Sequence, residues 1–124
     1  MVEWALRVGI FGTFLGHGVL ALIGKQSWLG WIQDMIGVDA KTAALLLTLI
    51  GIMDCLVAVV ILFLRRVPRF VLAWAVIWGF WTALLRPLVG ESIWDFVERS
   101  ANWAAPLALL FHFGWPKKVS DWWK

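Results

Sequence analysis

Long apolar stretches separated by short polar segments make up most of the chain. Four of them predict membrane-spanning helices, at about residues 4–24, 42–64, 70–85 and 101–115. A span needs roughly 20 mostly apolar residues, so the fourth stretch would need local bilayer thinning or flanking anchors. The pattern predicts an all-α fold, an integral membrane four-helix bundle that forms a single transmembrane domain over residues 1–124.

The three connections between these spans differ in pattern. Residues 25–41 and 86–103 carry apolar side chains at helical spacing, among them Trp28, Trp31, Ile32, Ile93, Trp94 and Phe96. They predict short interfacial helices in the two outer loops, which together would cap one end of the bundle. The third connection, "RRVPR" at 65–69, is a tight basic turn and predicts that the two helices it joins are antiparallel neighbours.

Composition supports a membrane protein. The chain is 62% hydrophobic and 15% charged, with a mean hydropathy of +0.83, whereas soluble domains are nearer half apolar and a quarter charged. It holds eleven Trp and no Tyr, and Trp favours membrane interfaces. We interpret Trp28, Trp31, Trp122 and Trp123 as membrane-interface anchors. Cys55 is the single cysteine, which excludes an intrachain disulfide and a CxxC site.

The basic residues predict an orientation. They lie at segment ends, which fits membrane topology and gives no indication of a nucleic-acid partner. One side of the membrane would hold Arg7, Arg65, Arg66, Arg69, Lys117, Lys118 and Lys124. The other would hold Lys25, Lys41, Arg86 and Arg99. The positive-inside rule then places both termini in the cytoplasm. Glu3 and a long apolar stretch favour a retained first span over a cleaved signal.

His17 and Asp54 within the spans, with Arg86 at the end of the third, form a candidate intramembrane polar site. Asp or Arg at the bilayer centre costs roughly 2.5–3.5 kcal/mol on insertion scales. His17 and Asp54 both fall near mid-depth, so Asp54 is expected to pair with His17 or Arg86, or to stay protonated. The structural alternatives are that Asp54 and His17 only bridge helices and that Arg86 is an interface anchor.

Other patterns in the spans indicate packing. Gly9, Gly12 and Gly16 form a small-residue face that would let another helix approach closely. Trp74, Trp78 and Trp81 follow helical spacing, which favours packing or lipid contact over a ligand box. The sequence contains no phosphate loop, HExxH motif, nucleophile elbow or spaced His and Cys set. We therefore predict no metal site and no intrinsic cofactor, and assign no catalytic residue.

The first span carries a recognisable pattern. In "LRVGIFGTFLGHGVLALIGK", residues 6–25, an Arg, a Gly-rich stretch, an HG pair and a Lys occur in order. With the acid in "GIMDCLVAVVILF" and the segment 85–110, this resembles the DoxX-like family of small four-helix membrane proteins. On that resemblance Arg7, Gly12, His17, Gly18 and Lys25 match family positions, and Asp54 stands where Glu is more usual.

The resemblance implies membrane redox work, since relatives include a subunit of a thiosulfate:quinone oxidoreductase and a partner in oxidative-stress assemblies. We expect an accessory subunit of a membrane electron-transfer or energy-converting complex, not catalytic alone, that lines a quinone or lipid site. Its partners would be lipids and other membrane subunits or a second copy, in a bacterial inner membrane. The lone cysteine and the shorter acid depart from redox relatives. The alternatives are an oligomeric transporter or channel for a small solute or protons, and an enzyme acting on a lipid-soluble substrate.

Overall fold

A computed structural model describes all 124 residues. The chain is helical throughout and contains no strand. Its helices are α1 (Val2–Leu22), α2 (Gln26–Ile36), α3 (Ala40–Phe63), α4 (Arg69–Leu88), α5 (Ile93–Glu98) and α6 (Ala101–Phe113), followed by a C-terminal 3-10 helix (Val119–Trp123). Short helices therefore occur in both connections where the sequence predicts them.

Three helices are long and apolar enough to cross a membrane. They are α1, α3 and α4, with 21, 24 and 20 residues, and their ends lie within a few residues of the predicted spans. The fourth predicted span, 101–115, corresponds to α6, which has only 13 residues. At about 1.5 Å per residue it is roughly 20 Å long, and a bilayer core is about 30 Å thick. The structure therefore shows three helices of spanning length and a shorter fourth.

Helices α1 and α3 come closest where both helices carry a glycine. A Cβ atom added at Gly18 would lie 2.5 Å from Cys55 Sγ, and one at Gly51 would lie 2.9 Å from the Gly18 carbonyl oxygen. Only glycine permits this close approach. The face predicted for packing, at positions 9, 12 and 16, has no heavy atom within 4 Å of a Cβ. Gly18 lies two positions after Gly16, which places the two glycines on opposite sides of the helix.

Helices α4 and α6 form a second pair that covers only part of α4. Gly79, at the middle of α4, packs directly against the backbone of Asn102 at the start of α6. At the other end, the Arg69 guanidinium donates to the carbonyl of Gly114 at 2.7 Å and to that of Phe113. Thus α6 runs from the middle of α4 back to its beginning. The other half of α4 is flanked by α5.

Arg7 fastens the end of α3 to α1. Its side chain is 2% exposed and donates to the carbonyls of Ile61 and Leu64 at 3.1 and 2.8 Å, and to that of Arg65 at 3.3 Å. These acceptors lie in the last turn of α3 and in the two residues after it, where carbonyls lack helical partners. The N-terminus, the α3–α4 turn and the chain end thus gather at one end of the bundle, which we call the arginine end. We call the opposite end, covered by α2 and α5, the cap end.

The buried core occupies the half of the bundle nearer the arginine end, where all four longer helices are present. It comprises Ile10, Phe14, Val57, Ala58, Ile61, Val67, Leu72, Ala75, Leu109 and Leu110. The cap half lacks α6. There α3 and α4, although joined by a tight turn, touch at few positions. The predicted antiparallel neighbours are therefore separated by a cleft, into which α4 directs large Trp side chains.

Candidate functional site: a pocket between α3 and α4

The cleft contains a pocket of about 510 Å³ at the cap end. Helices α3 and α4 form two walls, α1 contributes His17, and α2 lies across the top. Fourteen of the 18 lining residues are hydrophobic. The size and the mainly apolar lining with a few polar groups are those of small-molecule sites in proteins. We call this cavity the cap-end pocket.

The three residues of the predicted polar site all line the cap-end pocket: His17 from α1, Asp54 from α3 and Arg86 from α4. They come from three different helices, so tertiary packing brings them together. Neither predicted pair forms, because Asp54 has no hydrogen bond or ion pair to His17 or Arg86. The Asp54 side chain is 2% exposed and its Oδ1 atom is buried without a partner. The nearest donor to the Asp54 carboxyl group is the Trp78 indole N–H of α4, which approaches it without forming a hydrogen bond of normal geometry.

Arg86 lies beneath the indole rings of α2. Its guanidinium carbon is 4.8 Å from the ring centre of Trp31 and 5.8 Å from that of Trp28. Oε2 of the Glu91 carboxylate, which is more exposed, lies 3.7 Å from Arg86 Nη1. Arg86 is 7% exposed, so it turns into the bundle and does not extend outward as an interface anchor. The two rings and the acid hold the charge at the mouth of the pocket.

Helix α2 acts as the cover of the pocket. Trp28 packs edge-on against His17, with ring centres 5.8 Å apart, and its indole nitrogen is buried. Trp31, Ile32 and Met35 of the same helix also line the pocket. The sequence predicts Trp28 and Trp31 as membrane-interface anchors, and the structure places their rings over Arg86.

The Trp stripe of α4 lines the same pocket. Trp74 and Trp78 stack with ring centres 5.6 Å apart, and Trp81 stands on the same face. Sequence reasoning favoured packing or lipid contact for this stripe, and so missed it as part of a site. The available signal was its register with Arg86, which follows Trp78 by eight residues and therefore shares its face.

A second cavity continues the cleft toward the arginine end, and we call it the lateral groove. All 12 of its lining residues are hydrophobic, and its volume is about 730 Å³. Leu49, Met53 and Trp74 line both cavities. Where the two meet, the Trp74 indole N–H donates to Met53 Sδ at 3.1 Å. Trp122 of the C-terminal 3-10 helix lines the groove, and exposed Trp123 packs on Phe70 at 4.9 Å.

Four polar atoms in the walls of the cap-end pocket have no hydrogen-bond partner. They are Asp54 Oδ1 and the nitrogens Trp28 Nε1, Trp78 Nε1 and Arg86 Nε. Buried polar groups normally have a hydrogen-bond partner, and exceptions call for an explanation.

Comparison with known proteins gives no match: no family model, curated protein or solved structure matches the chain. A functional assignment therefore rests on this pocket and on the polar atoms in its walls.

Proposed function

We propose that the protein is a small membrane protein that holds a lipid-soluble amphiphile in the cap-end pocket. The observation that carries this proposal is the pocket itself, apolar on most of its surface and lined by His17, Asp54 and Arg86. Apolar walls favour the body of a lipid-soluble molecule, and a few converging polar groups select its head. A quinone or a lipid meets both requirements.

The proposed membrane arrangement is a four-helix bundle of the DoxX-like type. Helices α1, α3 and α4 cross the bilayer, and α6 reaches from the arginine end to mid-depth, where α5 takes its place beside α4. An interrupted helix is tolerated at membrane depth where it packs against protein. The basic residues at the arginine end support a cytoplasmic location for both termini in a bacterial inner membrane.

Within that membrane the protein would serve as an accessory subunit of an electron-transfer or energy-converting complex. The lateral groove supports this role. It is an apolar opening between α3 and α4 that leads to the pocket, and a molecule dissolved in the bilayer can enter through it. Asp54 and His17 on neighbouring helices supply an acid and an imidazole able to exchange a proton with the head of a bound quinone.

A transporter or channel ranks second. The ionisable residues of the cleft all belong to the cap-end pocket, and the lateral groove beyond it is lined by hydrophobic side chains alone. A single chain therefore offers a solute or proton no polar route to the arginine end. Transport would need a pathway between copies of the chain.

The test is gentle detergent extraction from the native membrane, followed by mass spectrometry of what stays bound. Redox subunits, or a quinone or lipid bound in stoichiometric amount, would support the proposal. Asp54→Asn should then lower ligand occupancy, whereas Thr48→Val should not, because Thr48 lies on α3 outside both cavities and only bonds the Ala44 carbonyl. A homo-oligomer that binds no ligand and moves solute into liposomes would overturn it in favour of transport.

A further inference from the structure

Three of the four unpartnered atoms of the cap-end pocket are N–H donors: Trp28 Nε1, Trp78 Nε1 and Arg86 Nε. The fourth, Asp54 Oδ1, is an acceptor that lies beside the Trp78 indole, so the donors left without any acceptor nearby are those of Trp28 and Arg86. Indole and guanidinium groups cannot accept a hydrogen bond. A molecule that completes this pocket must therefore bring acceptor atoms. A head with carbonyl or carboxylate oxygens does so, and Arg86 adds a positive charge that favours the carboxylate.

The length of the cleft favours a long ligand. The cap-end pocket and the lateral groove share Leu49, Met53 and Trp74, so they form one continuous path between α3 and α4. Along α4, Arg86 and Phe70 at its two ends are 16 residues apart, about 24 Å at the helical rise. The walls are polar at one end only. A head followed by an extended hydrocarbon chain matches this distribution.

The contact between Met53 and Trp74 marks the passage from pocket to groove. It joins α3 to α4 through a thioether acceptor at 3.1 Å, and a thioether is a weak acceptor. Met is also flexible and adapts to irregular neighbours. A hydrocarbon chain can therefore pass these two side chains by rearranging them and still find apolar contacts on both.

From these observations we infer that the cleft binds one long-chain amphiphile, with an oxygen-acceptor head at Arg86 and its chain past Met53 and Trp74 in the lateral groove. This inference rests on the proposed function and specifies its ligand. An ammonium head is the informative opposite, because it cannot accept a hydrogen bond from the free N–H groups and would be repelled by Arg86. Asp54 is the only acid among the lining residues that would attract it.

The head is tested with three probes that share one hydrocarbon chain: palmitate, methyl palmitate and hexadecylamine. Each competes for the purified full-length protein in detergent, read by native mass spectrometry. We expect palmitate or its ester to bind at least about tenfold more tightly than the amine, a difference that one or two hydrogen bonds can supply. In Arg86→Gln, a selective loss for palmitate identifies a carboxylate head, and an equal loss for the ester identifies a neutral carbonyl. Tightest binding of the amine would overturn the inference.

The chain is tested with a palmitate that carries a photoreactive diazirine at its end. Cross-links should map to the lateral groove, on α3 near Leu56 and on α4 near Ile77. Leu56→Trp should block the groove and weaken palmitate binding about tenfold, as the loss of one to two buried methylenes would. Leu45→Trp is the matched control, because Leu45 is on α3, is also 60% exposed and lines neither cavity.

The outcomes separate this inference from the proposed function. Cross-links confined to α2, or equal palmitate affinity in both leucine variants, would show that a ligand binds without using the groove and would overturn the inference alone. Failure of all three probes, together with an empty protein after extraction from the native membrane, would overturn the proposed function as well.

Discussion

Asp54 is the side chain whose surroundings least resemble a stable protein interior. It is 2% exposed, sits in the longest apolar helix, and its Oδ1 atom has no hydrogen bond of normal geometry, although the Trp78 indole lies beside the carboxyl group. An unsatisfied buried polar group lowers stability by about 1–3 kcal/mol. Proteins commonly keep such unfavourable groups at functional sites. The Arg86 Nε atom is unpartnered in the same pocket, which fits this explanation.

Asp54→Leu is therefore expected to stabilise the ligand-free protein. The gain in free energy of unfolding should be about 1–3 kcal/mol, since an unpaired carboxyl is replaced by an apolar group. Denaturation by SDS in mixed micelles measures it. A loss of stability instead would show that Asp54 has a structural partner, and the pocket would then not explain its presence.

Arg7 is also a buried ionisable residue, but unlike Asp54 its side chain has several hydrogen-bond partners. It donates to three carbonyls at the end of α3 and pairs with Glu3 at 2.8 Å. Arg7→Met should lower the free energy of unfolding by about 2–3 kcal/mol, because those carbonyls lose their donor. Arg66→Met is the control, since Arg66 is exposed in the same turn. Equal stability of the two variants would contradict the capping role.

At the level of helices, glycine position decides which helices pair. Gly18 and Gly51 bring α1 and α3 together, and Gly79 does the same for α4 and α6. Between α3 and α4 the facing residues are large, including Trp74 and Trp78. Small residues let backbones approach and large rings keep them apart. The cleft therefore follows from side-chain size along the facing helices.

Gly18→Ala and Gly12→Ala make a matched pair on α1. A Cβ at Gly18 would collide with Cys55, so we expect a loss of about 1–3 kcal/mol. A Cβ at Gly12 meets nothing within 4 Å, and alanine should stabilise the helix by up to about 1 kcal/mol. Thermal unfolding compares them. Destabilisation by Gly12→Ala, accompanied by dissociation of a complex, would reveal that this face binds a second protein.

At the level of the whole molecule, the two halves of the bundle differ because α6 is short. Four helices close the arginine half around a packed core, whereas the cap half has three long helices and the covers α2 and α5. Because α6 does not extend into the cap half, space remains there, and the cap-end pocket occupies it. The packed core and the proposed ligand pocket thus lie at opposite ends of one small domain.

The orientation of the molecule is open to a direct test with two serines. Ser27 lies at the cap end and Ser120 at the arginine end, and both are exposed. In a Cys55→Ala background, we expect a membrane-impermeant maleimide to label Ser27→Cys in intact cells and Ser120→Cys only after lysis. The reverse labelling pattern would place both termini outside the cell and contradict the orientation predicted from the positive-inside rule.

The sequence by itself determined where helices form, because apolar runs, the Pro68 turn and the charged ends act locally. It also singled out His17, Asp54 and Arg86, since ionisable residues are rare at membrane depth. It did not determine the pairing of helices. The sequence predicted the glycine face of α1 at positions 9, 12 and 16 for packing, whereas the close contact with α3 is made by Gly18 on the opposite side of the helix.

Only the tertiary structure decided the site. Asp54 pairs with neither His17 nor Arg86, and the rings of Trp28 and Trp31 lie over Arg86. The reason is the length of α6, which leaves the cap half open, so that α2 covers a pocket and not a packed core. Which residues share a cavity depends on contacts between distant segments, and no local pattern in the chain records them.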